Sequence, residues 1–198
     1  MKINKLIFFA ILLIAISIFS EERTLVGSNL TSGGFGCVSS RLTTIDGNFA
    51  VMIGGRGGWI IDHKFSIGYG SYELWEKIDA DPVPGYDDDL KLDFGYRGIE
   101  FEYIHRSEAL YHFTARLLVG WGEARLVNTH NDGDRAVLTD GLFVSEITLG
   151  GELNLTSWMR SYIAAGYHRS FDVDIENYNE GDFSGPSMEF GLKFGGNM

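Results

Sequence analysis

The sequence has almost no cysteine and very little proline. Cys37 is the single cysteine, and three prolines are spread over 198 residues. One cysteine forms no internal disulfide and supplies too few thiolates for a cysteine-rich structural zinc site. Positive charge is short as well: 16 Lys and Arg stand against 27 Asp and Glu, a formal net charge of −11. A chain this acidic is a poor partner for polyanionic nucleic acid, and that class of function is set aside. Beyond the N-terminus, no apolar run approaches the ~18 residues that a spanning helix needs. If the mature chain enters a membrane it does so with strands, and only as a closed barrel, because open sheet edges do not face lipid.

The one apolar run stands at the start. Lys2 and Lys5 precede an apolar stretch from Leu6 to Phe19 that only Ser17 interrupts, and Ser20 leads into Glu21, Glu22 and Arg23. A basic start, a short apolar centre and small residues before charge make residues 1–20 a cleaved secretory signal peptide, cut after Ser20 or after Ser17. Its removal takes Lys2 and Lys5 away and leaves the mature chain at −13. Residues 21–32 have no period and read as a flexible lead-in. Residues 33–198 form one β-barrel domain, long enough to enclose an interior.

What fills that domain is alternation. From Trp158 to Val173 the odd positions Met159, Ile163, Ala165, Tyr167, Phe171 and Val173 are largely apolar, and the even positions Arg160, Gly166, His168, Ser170 and Asp172 are polar or small. Opposite faces at period two make this a β-strand, longer than an ordinary globular strand requires. Seven further strands are read, all but the first by the same rule. The first, Gly33 to Ile45, has no legible face. Asp46-Gly47 is a hairpin turn, and the second strand sets Phe49, Val51, Ile53 and Trp59 against Ala50, Met52 and Arg56. The third and fourth change phase near Gly70 and Gly98, which predicts glycine bulges there. The fifth carries Tyr111 to Trp121, the sixth Phe143 to Leu155, and the eighth Met188 to Phe194. Tight joints at Asp62, Ser107 and Ser157 alternate with long acidic loops at Asp79 to Asp89, Asn128 to Asp140 and Asp174 to Asp182. Short turns on one side and long loops on the other are the pattern of outer-membrane barrels.

An eight-stranded barrel with its apolar face inside would be a soluble, lipocalin-like binder of an apolar ligand; with that face outside it spans a membrane. The polar face favours the second, with the soluble binder kept as the alternative. It mixes small residues with isolated charges of both signs, which suits a narrow, filled lumen better than a water-facing wall. Interfacial aromatics fall on the apolar phase at both strand ends: Trp59, Tyr103, Tyr111 and Phe194 at one, and Phe49, Trp121, Phe143 and Phe171 at the other. The expected fold is all-β, an eight-stranded antiparallel up-and-down transmembrane β-barrel. In architecture, alternation and the Phe190, Leu192, Phe194 pattern of its last strand, the chain resembles the small eight-stranded outer-membrane barrels of the OmpX and OmpA transmembrane-domain type. That resemblance implies a porin-like protein of the Gram-negative cell envelope, in contact with outer-membrane lipid.

Candidate sites follow. Arg56, Arg116, Glu146, Glu152, Arg160, Glu189 and Lys193 share the inward phase and read as a lumen ion-pair network, since eight strands leave room for side chains but not a wide channel. Gly54-Gly55-Arg56-Gly57-Gly58 lacks the lysine and hydroxyl of a phosphate loop and reads as close strand packing. His168 and Ser170, with Asp172 beside them, are similar to the His-x-Ser pair of outer-membrane lipid A deacylases, although here they lie on the inward phase and residue 171 is Phe, where that family typically has Asn. They are candidates for a lipid-modifying enzyme. Asp87, Asp88 and Asp89 are weak candidates for a cation, without an EF-hand pattern. The expected protein is a monomeric barrel with a structural or surface-interaction role, no catalytic site, no cofactor, and an extracellular partner at the long loops.

Overall fold

A computed structural model describes residues 32–83, 90–128, 135–175 and 177–195. The signal peptide, nearly all of the lead-in, the Asp87 to Asp89 cation candidates and the Asn131 to Asp134 turn lie outside these residues. Among the described residues there are nine strands: β1 (Ser32–Ile45), β2 (Asn48–Ile61), β3 (Phe65–Leu74), the two-residue β4 (Ile78–Asp79), β5 (Leu90–His105), β6 (Tyr111–Asn128), β7 (Arg135–Asn154), β8 (Met159–Phe171) and β9 (Gly185–Gly195). Each long strand pairs antiparallel with its neighbours. β1 pairs with β9, and β3 with β5, so the eight long strands close into an up-and-down barrel while β4 adds a short pairing at the loop end of β5.

The connections follow from local chemistry. Asp46 and Gly47 both hold positive φ, 50° and 68°, the conformation that joins two strands through a two-residue turn. Ile45 and Asn48 are paired directly across it. At the opposite end, Asp62 and His63 take φ 53° before Lys64, whose N–H closes the turn on the Ile61 carbonyl at 3.1 Å. The 106–110 turn is held by Asn154, whose amide donates to the carbonyls of Ser107 and Ala109.

The faces are inverted relative to a soluble barrel over much of the height. Ile53, Ile67, Ile99, Phe101, Ile147, Leu149, Ile163 and Met188 point outward and exposed, while Arg41, Arg56, Glu102, Arg116, Glu152 and Lys193 are buried inside. Holding that exterior against water would cost about 25 cal/mol per Å²; lipid removes the cost. Above this band the order reverts. Leu90, Leu92, Phe94 and Tyr96 of β5 turn inward into an apolar cluster with Met52, Tyr72 and Leu126, and Lys91, Asp93 and Arg97 face out.

This reversal corrects the two expected bulges. β3 stays in unbroken register with β5 from Phe65↔Tyr103 to Glu73↔Gly95, straight through Gly70↔Gly98. The apolar residues change face because the strand leaves the lipid band, with no change in the backbone. The register shift that does occur lies between Leu126 and Val127 on β6. Gly98 is small for another reason: a Cβ there would stand 2.5 Å from the Val119 carbonyl oxygen and 2.8 Å from Gly120 Cα.

Two loops also differ from expectation. β6 and β7 pair out to Asn128↔Arg135, so residues 135–140 are strand. The 174–182 segment is not simply a solvated acidic loop: Ile175 and Tyr178, with Phe183 directly after it, are buried in the apolar cluster with Val83. β8 itself is shorter than the alternation suggested. Trp158 lies in the turn before it and stacks on Phe194 at 6.2 Å.

Candidate functional site: the filled lumen

Every long strand delivers at least one polar side chain to the lumen. The buried charges are balanced, with Arg41, Arg56, Arg116, Arg160 and Lys193 against Glu100, Glu102, Glu146, Glu152 and Glu189. Buried charge persists only where it is paired and hydrogen-bonded, and these groups interlock in two centres.

The centre nearer the loops is built on Arg41. Its guanidinium meets Glu146 at 2.6 Å and Glu189 at 2.9 Å, donates to the Tyr96 hydroxyl, and lies 3.7 Å from the centroid of the Tyr72 ring. Tyr96 donates in turn to Glu146 at 3.0 Å, and Tyr162 donates to Glu189 at 2.6 Å. Arg116 pairs with Glu189 and lies 3.9 Å from Glu100. The lower centre gathers on Glu152 and Glu102. Arg56 meets Glu102 at 3.1 Å, Lys193 bridges Glu102 at 3.0 Å and Glu152, and Arg160 reaches Glu152 at 3.2 Å. A ring nitrogen of His112 lies 3.1 Å from Glu152. Cys37 sits between the centres, its thiol donating to the Tyr162 hydroxyl at 3.3 Å.

Apolar groups close the column at both ends. Phe35, Ile60 and Ile104 pack together toward the tight turns, and Phe183, Tyr178 and Ile175 fold over the loop end, where Phe94 and Phe183 rings lie 5.2 Å apart. The cap is fastened to the first hairpin by the Asp46 N–H, which donates to the Asp182 carbonyl at 2.7 Å. Asp46 also lies near Asp81 and Asp182, and partial burial followed by those two charges pushes its carboxyl above the ordinary aspartate range.

The seven inward charges named from the sequence, Arg56, Arg116, Glu146, Glu152, Arg160, Glu189 and Lys193, all stand in this column. Alternation puts His112 on the polar phase of its strand, although the network named from the sequence leaves it out, and misses Arg41, Glu100 and Glu102. Glu100 and Glu102 carry the same parity as Leu90 to Tyr96, so continuing β5 without a bulge would have found them; Arg41 lies on the strand with no legible face.

The candidate catalytic residues are not assembled. His168 is fully buried and stacks on Tyr96 with centroids 5.7 Å apart, but neither ring nitrogen has a hydrogen-bond partner among the described residues. The Ser170 hydroxyl is committed to the Phe183 carbonyl at 2.7 Å. Asp172 lies past the end of β8 with φ 61°, exposed. Both His168 and Ser170 face the lumen, away from lipid.

The interfacial aromatics stand on the exterior. Toward the tight turns Tyr103 packs on Phe65 at 5.4 Å and Tyr111 on Phe113 at 5.2 Å, with Trp59 exposed beside them. Toward the loops Phe143 packs on Phe171 at 6.0 Å and Trp121 on Tyr69 at 6.4 Å.

No protein-family model matches the chain, and comparison with curated proteins finds no match. Solved structures do match. Neisserial surface protein A superposes with a TM-score of 0.51 at 12% identity, covering 86% of this chain and 100% of that one. Ail, the attachment invasion locus protein of Yersinia pestis, superposes with a TM-score of 0.50 at 11% identity, covering 83% of this chain and 97% of that one. At such identities the likeness concerns the backbone, and with the apolar exterior and polar lumen it leads to one statement: the chain has the fold of the small eight-stranded outer-membrane β-barrels.

Proposed function

We propose that this chain is an outer-membrane barrel with a structural or surface-interaction role, exported through a cleaved signal peptide and monomeric in the membrane. In this reading the barrel is a sealed scaffold, and its extracellular end makes the contacts. The observation that carries it is the plugged lumen. Arg41 spans from β1 to Glu146 of β7 and Glu189 of β9, blocking the bore, and the Phe183 cap covers it. Opening a solute path requires separating buried ion pairs at about 3–5 kcal/mol for each uncompensated partner. Rigid scaffolds of this kind commonly carry function in their loops.

The loop end is acidic, with Asp46, Asp79, Asp81, Asp172, Asp174, Glu180 and Asp182 among the described residues. Ail was crystallised with the heparin analogue sucrose octasulfate. A polyanion of that kind would be repelled by the charge found here, so the partner of these loops is neutral or cationic. The test is planar-bilayer recording on protein that shows a heat-dependent gel shift. Folded protein without large, stable currents is the expected result. Stable currents of porin size would overturn the reading.

A further inference from the structure

The outer wall just above the lipid band carries a groove of about 500 Å³, within the ~300–1,000 Å³ range of small-molecule sites. Its floor is a grid of outward-facing residues fixed by strand register. Ser71 pairs with Arg97 and Arg97 with Trp121; Glu73 pairs with Gly95 and Gly95 with Glu123; Asp93 pairs with Arg125. Gly95 is at the centre and leaves the floor open. A Cβ there would meet Glu73 Cγ at 3.0 Å and the Tyr72 carbonyl oxygen at 3.2 Å, so any side chain would begin to fill the space.

Two indoles line the groove. Trp75 is 66% exposed and Trp121 51% exposed. Both are costly surfaces to leave in water without a partner, and Trp121 is joined through Tyr69 to the outer aromatic belt, which places the groove where lipid headgroups begin. The Arg97 guanidinium lies 5.9 Å from the Trp121 ring centroid. Arg125 holds Glu123 at 2.5 Å and approaches Asp93 at 3.8 Å, which keeps the carboxylates in defined positions.

The charged lining balances, four carboxylates against four cations. A phosphate or sulfate group would find no excess of positive charge, and a cationic peptide no excess of negative. Exposed aromatic faces, with fixed carboxylates and a guanidinium between them, match a neutral polyol instead. The C–H face of a pyranose can lie on an indole, while neighbouring hydroxyls donate to Glu73 and Glu123 and accept from Arg97.

The geometry points to this groove as a binding site for a neutral saccharide, presented either as a glycolipid headgroup or as a free glycan. It deepens the surface-interaction reading and rests on it. The experiment uses the barrel in phosphatidylcholine nanodiscs and follows the four tryptophan indole N–H signals by NMR. The probes are maltotriose in solution and monogalactosyl diacylglycerol incorporated in the disc, with inorganic phosphate as the control. Saturable shifts at Trp75 and Trp121, with Trp59 and Trp158 unmoved, are expected. Trp75→Ala and Glu73→Gln should each weaken binding about tenfold, the loss of one aromatic or charge-assisted contact. A response to maltotriose identifies free glycan as a sufficient source; a response to the glycolipid alone identifies the headgroup. No saturable shift with either sugar, or an equal shift with phosphate, overturns the proposal. The heat-dependent gel shift and bilayer recordings on the same preparation tell that failure apart from a failure of the sealed-barrel reading.

Discussion

Arg41 and Glu146 meet at 2.6 Å across the lumen although 105 residues separate them in the chain. β1 and β7 are not neighbours in the sheet, so this pair forms only once the barrel has closed. It is a report on complete closure as well as a contribution to stability. Arg41→Met should therefore destabilise the barrel by about 3–5 kcal/mol, because Glu146 and Glu189 lose a buried partner. Arg41→Lys should recover only part of that loss: an ammonium lacks the planar fork that serves both carboxylates and the Tyr96 hydroxyl. Urea midpoints of the heat-dependent gel shift check this, and a methionine variant as stable as the parent would mean that the network is not what holds the lumen shut.

The reversal of faces along β5 and β6 makes a prediction about membrane depth. Leu149 is 63% exposed in the outward apolar band, and Leu149→Arg should cost about 2–4 kcal/mol in lipid. Lys91 faces outward above the band, and Lys91→Leu should fall within about 0.5 kcal/mol of neutral, like other surface changes. Leu92, one residue on, is fully buried, and Leu92→Asp should prevent folding by burying an unpaired carboxylate. Refolding yields into lipid vesicles would rank the three. Equal tolerance at residues 91 and 149 would place the lipid boundary elsewhere.

Much of this was legible because period-two alternation is strong wherever one face meets lipid and the other does not. The eighth barrel strand and the inward set Glu189 and Lys193 follow from it directly. Legibility failed where the environment of the outer face changes. Phe94 and Tyr96 are apolar and inward, so their parity contradicts that of Ile99 and Phe101 on the same straight strand, as inward Tyr72 contradicts outward Ile67 and Tyr69 on β3, and a bulge was the natural misreading. β1 was opaque for a different reason: Ser39, Ser40, Thr43 and Thr44 occupy both faces, so the inward phase of Arg41 carried no contrast. The cap was invisible because Ile175, Tyr178 and Phe183 are isolated among polar loop residues and only tertiary packing shows which way they turn.

Two seals in series imply that neither alone controls conductance. Removing the cap with Tyr178→Ala and Phe183→Ala should leave bilayer currents closed, since the Arg41 and Glu152 centres still fill the bore below. Adding Arg41→Ser and Glu189→Ser to the cap variant should produce small, measurable currents if the barrel still folds, which the gel shift reports. Large currents from the cap variant alone would place the only seal at the loops.

The first hairpin gives a prediction with a definite pH sign. Partial burial, together with Asp81 and Asp182, raises the Asp46 carboxyl above its ordinary value, so the folded state favours its protonated form. For an acid raised in this way, the ionised group opposes the folded loop at neutral pH. That opposition fades as pH falls through the folded value and is gone below the unfolded aspartate range near ~3.9. Asp46→Asn removes the charge and keeps a residue tolerant of φ 50°. At pH 7 the variant should therefore hold the Asp46 N–H bond to the Asp182 carbonyl more firmly than the parent, and below about pH 3 the two should converge. Hydrogen-exchange protection of that amide, compared between parent and variant at each pH, gives the answer directly. A variant less protected at pH 7 would show that the Asp46 carboxylate steadies the cap, in which case the acidic cluster is held by contacts that outweigh its repulsion.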